Sequence, residues 1–189
     1  MKTFFHLCKV LAGLDQPLTN VTRNELSAML KYSQAAEKVV EIGCAEGATS
    51  MALAGGTRGQ VYSVDTFQPG RLGICYGYWV ARTAMRRRGI RNVHLIRASS
   101  HEAAKNFGSG IDFLFVDGDH SLTGVERDWS DWFPKVKTGG YIALHDCRVA
   151  TNSPLELGSM QFYRERLLKL EGLEEIESVD CLAVFRKLQ

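Results

Sequence analysis

The sequence predicts an α/β domain built on a mostly parallel sheet with helices on both faces. Three observations carry this. Short runs rich in Val, Ile and Leu alternate five times with helix-like stretches, a pattern that demands crossover connections between parallel strands. Two of the runs stop abruptly on charged residues: Ile111 to Val116 on Asp117-Gly118-Asp119-His120, and Tyr141 to Leu144 on His145-Asp146. The chain then closes with Glu174 to Val179 and Cys181 to Phe185, joined too tightly for anything but an antiparallel hairpin.

Taken in order, residues 1–37 read as a helical segment before the first strand. Thr22 and Glu25 can form a capping box, Val21 can staple onto Leu26, and Leu26, Met29 and Leu30 then share a face. Lys38 to Ile42 is a short buried strand, followed by a Gly-containing turn and a small helix around Ser50 to Ala54 that ends at Gly55-Gly56. Gln60 to Val64 is the second strand, closing on Asp65. The loop from Phe67 to Trp79 carries Arg71, Tyr76, Tyr78 and Trp79. It is either a wall suited to a sugar or polar ring, or a surface loop with its aromatics packed inward. A helix runs on to about Arg88 and stops at Gly89.

Val93 to Ile96 is the third strand, and Ser100 can cap the short helix after it. Ile111 to Val116 is the fourth. Ser121 can cap a helix carrying Val125, Trp129 and Trp132, with Asp128 and Asp131 on its solvated face and Pro134 at its end. Tyr141 to Leu144 is the fifth strand. A loop from Arg148 to Gly158, the second candidate wall, leads to an amphipathic helix with Phe162, Leu167 and Leu170. The expectation is a single domain, 1–189, of seven strands, its core spanning 38–189.

The net charge of +2 gives no argument for nucleic acid, but its distribution is uneven. Between Thr66 and His101 there is no acid and there are seven Arg: 71, 82, 86, 87, 88, 91 and 97. They form either a solvated helix face or a basic rim that attracts an anionic acceptor. Five cysteines at 8, 44, 75, 147 and 181 make no regular framework, which points to free thiols and a reducing cytoplasm. No apolar run reaches membrane-spanning length. The N-terminus only faintly imitates a signal peptide, because His6 and Lys9 interrupt it. Its Phe4, Phe5, Leu7 and Leu11 offer a face for a homodimer.

In open α/β sheets, ligands bind beyond the carboxyl ends of the strands. The first strand empties into Glu41-Ile42-Gly43-Cys44-Ala45-Glu46-Gly47, whose small residues let the backbone approach a ligand, and Asp65 ends the second strand at the spacing of a ribose-binding acid. Gly43, Ala45 and Ala48 fit a dinucleotide fingerprint poorly. S-adenosylmethionine, which has no phosphate, needs only a cradle for its amino-acid end. At the other strand ends, Asp117 and Asp146 could give two hard oxygens to Mg²⁺. His145 could complete the set and shift preference toward Mn²⁺, Fe²⁺ or Zn²⁺. His120 suits a general base near neutral pH, and Asp119 could orient it or act as the base itself. The plainer alternative makes Asp117 a helix cap and leaves Asp119 and His120 solvated.

Val39 to Gly47 resembles the first motif of class I S-adenosylmethionine-dependent methyltransferases, and Val61 to Asp65 resembles their second. Phe113 to His120, followed by Lys137 to Asp146, is similar to the metal-dependent O-methyltransferases of the macrocin and catechol type, and most of all to methyltransferase family 24. The resemblance implies a Rossmann-like fold. It implies that Glu41 and the turn Gly43, Cys44, Ala45, Glu46, Gly47, with Ser50, hold the methionine end. Asp65 would take the ribose, Phe67 the side of the adenosine, and Ser99 and Ser100 the adenine, while Asp117 would stand between cofactor and acceptor. It implies a metal site on Asp117 and the end of the fifth strand, where macrocin-like relatives carry two adjacent acids and this chain departs with His145-Asp146. The expected ligands here are Asp117, His145 and Asp146, and Cys147 stands where the catechol enzyme has an Asn ligand. The expected partner is a small-molecule or glycan acceptor with a hydroxyl. Two rival readings remain: a cofactor-binding protein without catalysis, and a methyltransferase acting on nucleic acid.

Overall fold

The computed structural model describes residues 2–70, 73–148 and 157–189. Five parallel strands form the centre: β1 (Lys38–Ile42), β2 (Gln60–Asp65), β3 (Val93–Arg97), β4 (Ile111–Val116) and β5 (Val136–Leu144). The terminal strands β6 (Leu173–Val179) and β7 (Leu182–Lys187) pair antiparallel, with β7 inserted beside β5. The order across the seven-stranded sheet of the described residues is β3-β2-β1-β4-β5-β7-β6, the expected mostly parallel sheet closed by an antiparallel hairpin.

Side chains alternate across a strand, and here the alternation sorts two cores. Val40, Ile42, Leu114, Val116, Ile142 and Leu144 face α5 (Ser100–Asn106), α6 (Leu122–Trp132) and α7 (Gly158–Glu165), packing with Trp129, Trp132 and Phe162. Val39, Phe113, Phe115, Ala143 and Val184 face α2 (Arg23–Ser33) and α3 (Ala48–Gly56), packing with Ala28, Met29 and Leu53. A smaller cluster joins α1 (Lys2–Ala12) to α4 (Tyr76–Arg87) through Leu7, Val10, Val80, Ala81 and Met85.

The capping box of Thr22 and Glu25 is present. The buried face of α2 is Glu25, Ala28, Met29 and Ser33, however, while Leu26 and Leu30 pack only partly. Helix α5 is capped by Ser99 rather than Ser100, and α6 by Ser121 as expected. Helix α4 begins at Tyr76, so Tyr76, Tyr78 and Trp79 are helical rather than loop residues. Arg71 and most of the loop from Arg148 to Gly158 lie outside the described residues. The last helix is short: Leu167 sits in a separate 3-10 turn, Leu167–Lys169, and Leu170 is exposed. Leu7 is buried, which removes it from any dimer face, whereas Phe4, Phe5 and Leu11 are exposed. The five cysteines are free thiols. No helix among the described residues is long and apolar enough to cross a membrane.

Candidate active site

A cleft of about 1050 Å³ opens across the carboxyl ends of β1, β2, β4 and β5. Strand order reverses between β1 and β4, the kind of crevice where ligands enter open α/β sheets. Gly43, Ala45, Asp65, Ser99 and Ser100 line one half of it, and Asp117, Asp119, His120, His145 and Asp146 the other.

In the first half, the turn after β1 is held by Asp65. Cys44 N–H and Ala45 N–H donate to its Oδ2 at 3.0 and 2.8 Å, and Phe67 N–H donates to Oδ1 at 2.6 Å. Gly43 has φ +90, and a Cβ there would stand 2.0 Å from the Asp117 carbonyl oxygen. Only glycine lets the two halves of the cleft come that close. Beneath the turn, Glu41 is fully buried and accepts a hydrogen bond from Ser50, which also accepts from Ser63 at 3.0 Å. Burial pushes the Glu41 carboxyl up to about 7, since a charge out of water is costly. Its Oε1 has no hydrogen-bond partner.

Glu41, Cys44, Glu46, Gly47, Ser50 and Phe67 do not line the cleft. Cys44 and Phe67 pack with Cys75 and Tyr78 behind the turn. Glu46 is occupied by the N-terminal segment, accepting from Leu18 N–H at 2.7 Å and lying 2.9 Å from His6 Nε2. Gly47, with φ +77, is the N-cap of α3.

In the second half, the period of two carries past the strand ends. Phe115 and Ala143 face α2, and Asp117 and His145 continue that parity. Their backbones extend the ladder, Asp117 N–H donating to Ile42 and His145 N–H to Val116. Asp146 then turns back through a left-handed conformation, φ +49, a strain that a non-glycine residue keeps only where its surroundings impose it. Part of that imposition is visible: Ser159 Oγ on α7 donates to the Asp146 carbonyl at 2.6 Å.

The result is a compact set of ionisable groups. His145 Nδ1 lies 2.9 Å from Asp117 Oδ1 and 3.7 Å from Asp146 Oδ2. His120 Nε2 lies 3.3 Å from Asp117 Oδ1, and its Nδ1 lies 3.5 Å from Asp146 Oδ2. Burial would raise the Asp117 carboxyl, but the imidazoles of His120 and His145 hold it below its ordinary value. The hydrogen bond to Asp117 lifts His120, against its partial burial. Burial would lower His145, yet its partners, Asp117 foremost, carry it up to about 11. Asp119 instead accepts from Ser121 N–H at 2.9 Å, at the turn into α6.

One oxygen each from Asp117 and Asp146 and Nδ1 of His145 stand within 4.8 Å of one another. Two hard oxygens and a nitrogen at this spacing fit a divalent cation.

Two residues of the site were missed by sequence reasoning. Asp128, expected on a solvated face, is buried and lines the cleft. Its spacing held the signal: Val125, Asp128, Trp129 and Trp132 fall at i, i+3, i+4 and i+7, the buried stripe of α6. Glu25, read only as a capping residue, also reaches His145, with Oε2 lying 3.2 Å from Nε2. No local signal shows that second contact, because the partners are far apart in the chain.

The methyltransferase-domain model of family 24 matches residues 40–147, more than half of the chain. The chain belongs to this methyltransferase family. The O-methyltransferase TomG of Streptomyces achromogenes, involved in tomaymycin synthesis and solved with SAM, superimposes with TM-score 0.71 at 13% identity, covering 100% of this chain and 91% of that one. An O-methyltransferase of Bacillus cereus in complex with SAH gives 0.67 at 17% identity over 99% and 91%. An rRNA methylase of Streptococcus thermophilus gives 0.63 at 15% over 91% and 100%. At these identities the likeness is one of fold. In sequence, the uncharacterized protein y4gI of Sinorhizobium fredii is 28% identical over 115 residues, 59% of this chain. The uncharacterized protein R132 of Acanthamoeba polyphaga mimivirus is 37% identical over 60 residues. The chain spans 12% and 27% of the lengths of these two curated relatives. The chain thus shares its fold with methyltransferases solved with SAM or SAH.

Proposed function

We propose that this methyltransferase transfers the methyl group of S-adenosylmethionine to a hydroxyl of a small molecule or sugar, assisted by a divalent cation. One observation carries the reading: Asp117, His120, His145 and Asp146 converge at the ends of β4 and β5, in the same cleft as Gly43 and Asp65. The donor sulfonium is already activated, so the protein has to align the acceptor and make it nucleophilic.

In this reading Asp65 takes the ribose hydroxyls beside the Gly43 turn, with Ser99 and Ser100 at the adenine end. Glu41, fully buried beneath that turn and outside the cleft lining, supports the turn through Ser50 rather than meeting the methionine moiety. Asp117, His145 and Asp146 would hold Mg²⁺ or Mn²⁺, and the cation when bound would lower the pKa of the acceptor hydroxyl. His120, fixed by Asp117 and Asp146, is placed to receive the hydroxyl proton. Asp119 orients the turn on which His120 sits.

The acceptor reading follows from the cleft rather than from the arginines. Arg82 donates to Tyr78, and Arg87 and Arg88 hold Leu11, Met51 and Gln16 of neighbouring segments. These three make contacts within the fold, so the acceptor reading does not rest on them. Incubating the purified protein with labelled S-adenosylmethionine and a panel of phenols, sugars and polyketide alcohols tests the reading. Label should enter a hydroxyl, and complete chelation should stop it. Methylation that survives chelation removes the cation, and label entering RNA instead of small alcohols moves the acceptor to nucleic acid.

A further inference from the structure

Between α2 and the strand-end site lies a second set of contacts on His145, on the side away from the cleft. Glu25 is fully buried. Its Oε1 accepts from Cys181 N–H at 3.0 Å and from the Cys181 thiol at 2.9 Å. Its Oε2 accepts from Thr22 N–H at 2.8 Å and faces His145 Nε2 at 3.2 Å. Glu25, His145 and Cys181 could by position alone surround a soft cation, but the Glu25 carboxylate already has four donors around it. Removing them to ligate an ion would take the acceptor from the backbone N–H groups of Thr22 and Cys181 and break the capping box of α2.

We infer that Glu25 is a positioning residue for the strand-end site: it holds the Nε2–H of His145 and thereby turns Nδ1 of that ring toward Asp117 and Asp146. An ionised carboxylate can only accept, so Nε2 facing Glu25 carries hydrogen; Nδ1, which likewise faces Asp117 Oδ1 at 2.9 Å, would give up its hydrogen to a bound cation, leaving the Nε2–H tautomer. His145 is 2% exposed and edge-on to Phe115, with centroids 6.1 Å apart, so the ring has no room to turn over. A ligating histidine whose other ring nitrogen donates to a carboxylate is fixed in both tautomer and direction. The inference rests on the cation reading above and adds to it a residue from outside the cleft. It also gives the capping box of α2 a second use, since the same carboxylate closes the helix start and anchors the ring.

The test uses Mn²⁺ alone, titrated into the full chain and followed by electron paramagnetic resonance, for wild type, Glu25→Gln, Glu25→Asp and Thr22→Ala. Glu25→Gln should weaken Mn²⁺ binding by about 10–100-fold, the usual effect of losing such a partner, and Glu25→Asp should recover part of it. Thr22→Ala, which breaks the capping box without touching His145, should lower the unfolding temperature and leave Mn²⁺ affinity as in wild type. Independently of any variant, ¹⁵N spectra of the Mg²⁺-loaded wild type should show His145 protonated at Nε2 and bare at Nδ1. The inference is overturned by wild-type Mn²⁺ affinity in Glu25→Gln, by an equal loss in Thr22→Ala, or by the opposite tautomer. Absence of Mn²⁺ binding to wild type instead overturns the cation reading itself, and this inference with it.

Discussion

Ala45 adopts φ +48 in the turn that Asp65 ties down. A left-handed alanine costs about 1–2 kcal/mol relative to its ordinary conformations, and glycine does not incur that cost. Ala45→Gly should therefore raise stability by about 1 kcal/mol, less the extra freedom glycine has when unfolded; urea midpoints measure it, and a loss of stability would contradict the strain. Glu41 gives a pH signature. Its folded pKa of about 7 lies above the ordinary 4.5, so its contribution to stability is complete below 4.5 and is lost as pH rises toward and through 7. The stability difference between Glu41→Gln and wild type should shift in favour of the variant from pH 4.5 to 8, by about 3 kcal/mol. A difference that stays flat over this window would remove the buried charge from the account. At this scale the sequence was legible where polar residues follow directly on a strand and so line the cleft, as at Asp65, Asp117 and His145-Asp146. It was less so where a polar residue sits inside a helix stripe: Asp128 looks solvated, and Glu25 only a cap, until the helix is docked.

Helices and strands were legible where burial follows a clear period, and their ends were not. Strand β5 starts at Val136, although Lys137-Thr138-Gly139-Gly140 reads as a turn, because pairing with β4 continues across an irregular register between Ile111 and Phe113. Helix α4 starts at Tyr76, and its first turn lies so close to the Ala45 carbonyl that a Cβ at Gly77 would come within 2.8 Å, a tertiary contact that local sequence does not show. Helix α1 shows why an apolar N-terminus need not be an interface. Leu7 is 7% exposed and Leu11 49%. Leu7→Ala should cost about 2–3 kcal/mol, at the low end for a core truncation, and Leu11→Ala less than about 0.5 kcal/mol. Equal effects in thermal unfolding would mean that α1 does not dock on α4 as described.

Across the whole molecule, the order β3-β2-β1-β4-β5-β7-β6 puts two chemistries at one switch point. The turn after β1 passes over the Asp117 carbonyl at Gly43, so the half proposed for the cofactor and the ionisable half share a wall while keeping separate side chains. The fold class and the presence of two such halves could be read from the alternation of elements and the polar strand ends. Their separation within one cleft could not, because it depends on the parity of strand residues and the left-handed turn at Asp146. Paired binding isotherms test that separation. S-adenosylhomocysteine and Mn²⁺ are each titrated into wild type, Asp65→Asn and Asp146→Asn. Asp65→Asn should lose S-adenosylhomocysteine and keep Mn²⁺, while Asp146→Asn should do the reverse. Loss of both ligands in both variants, or of neither, would contradict the separation.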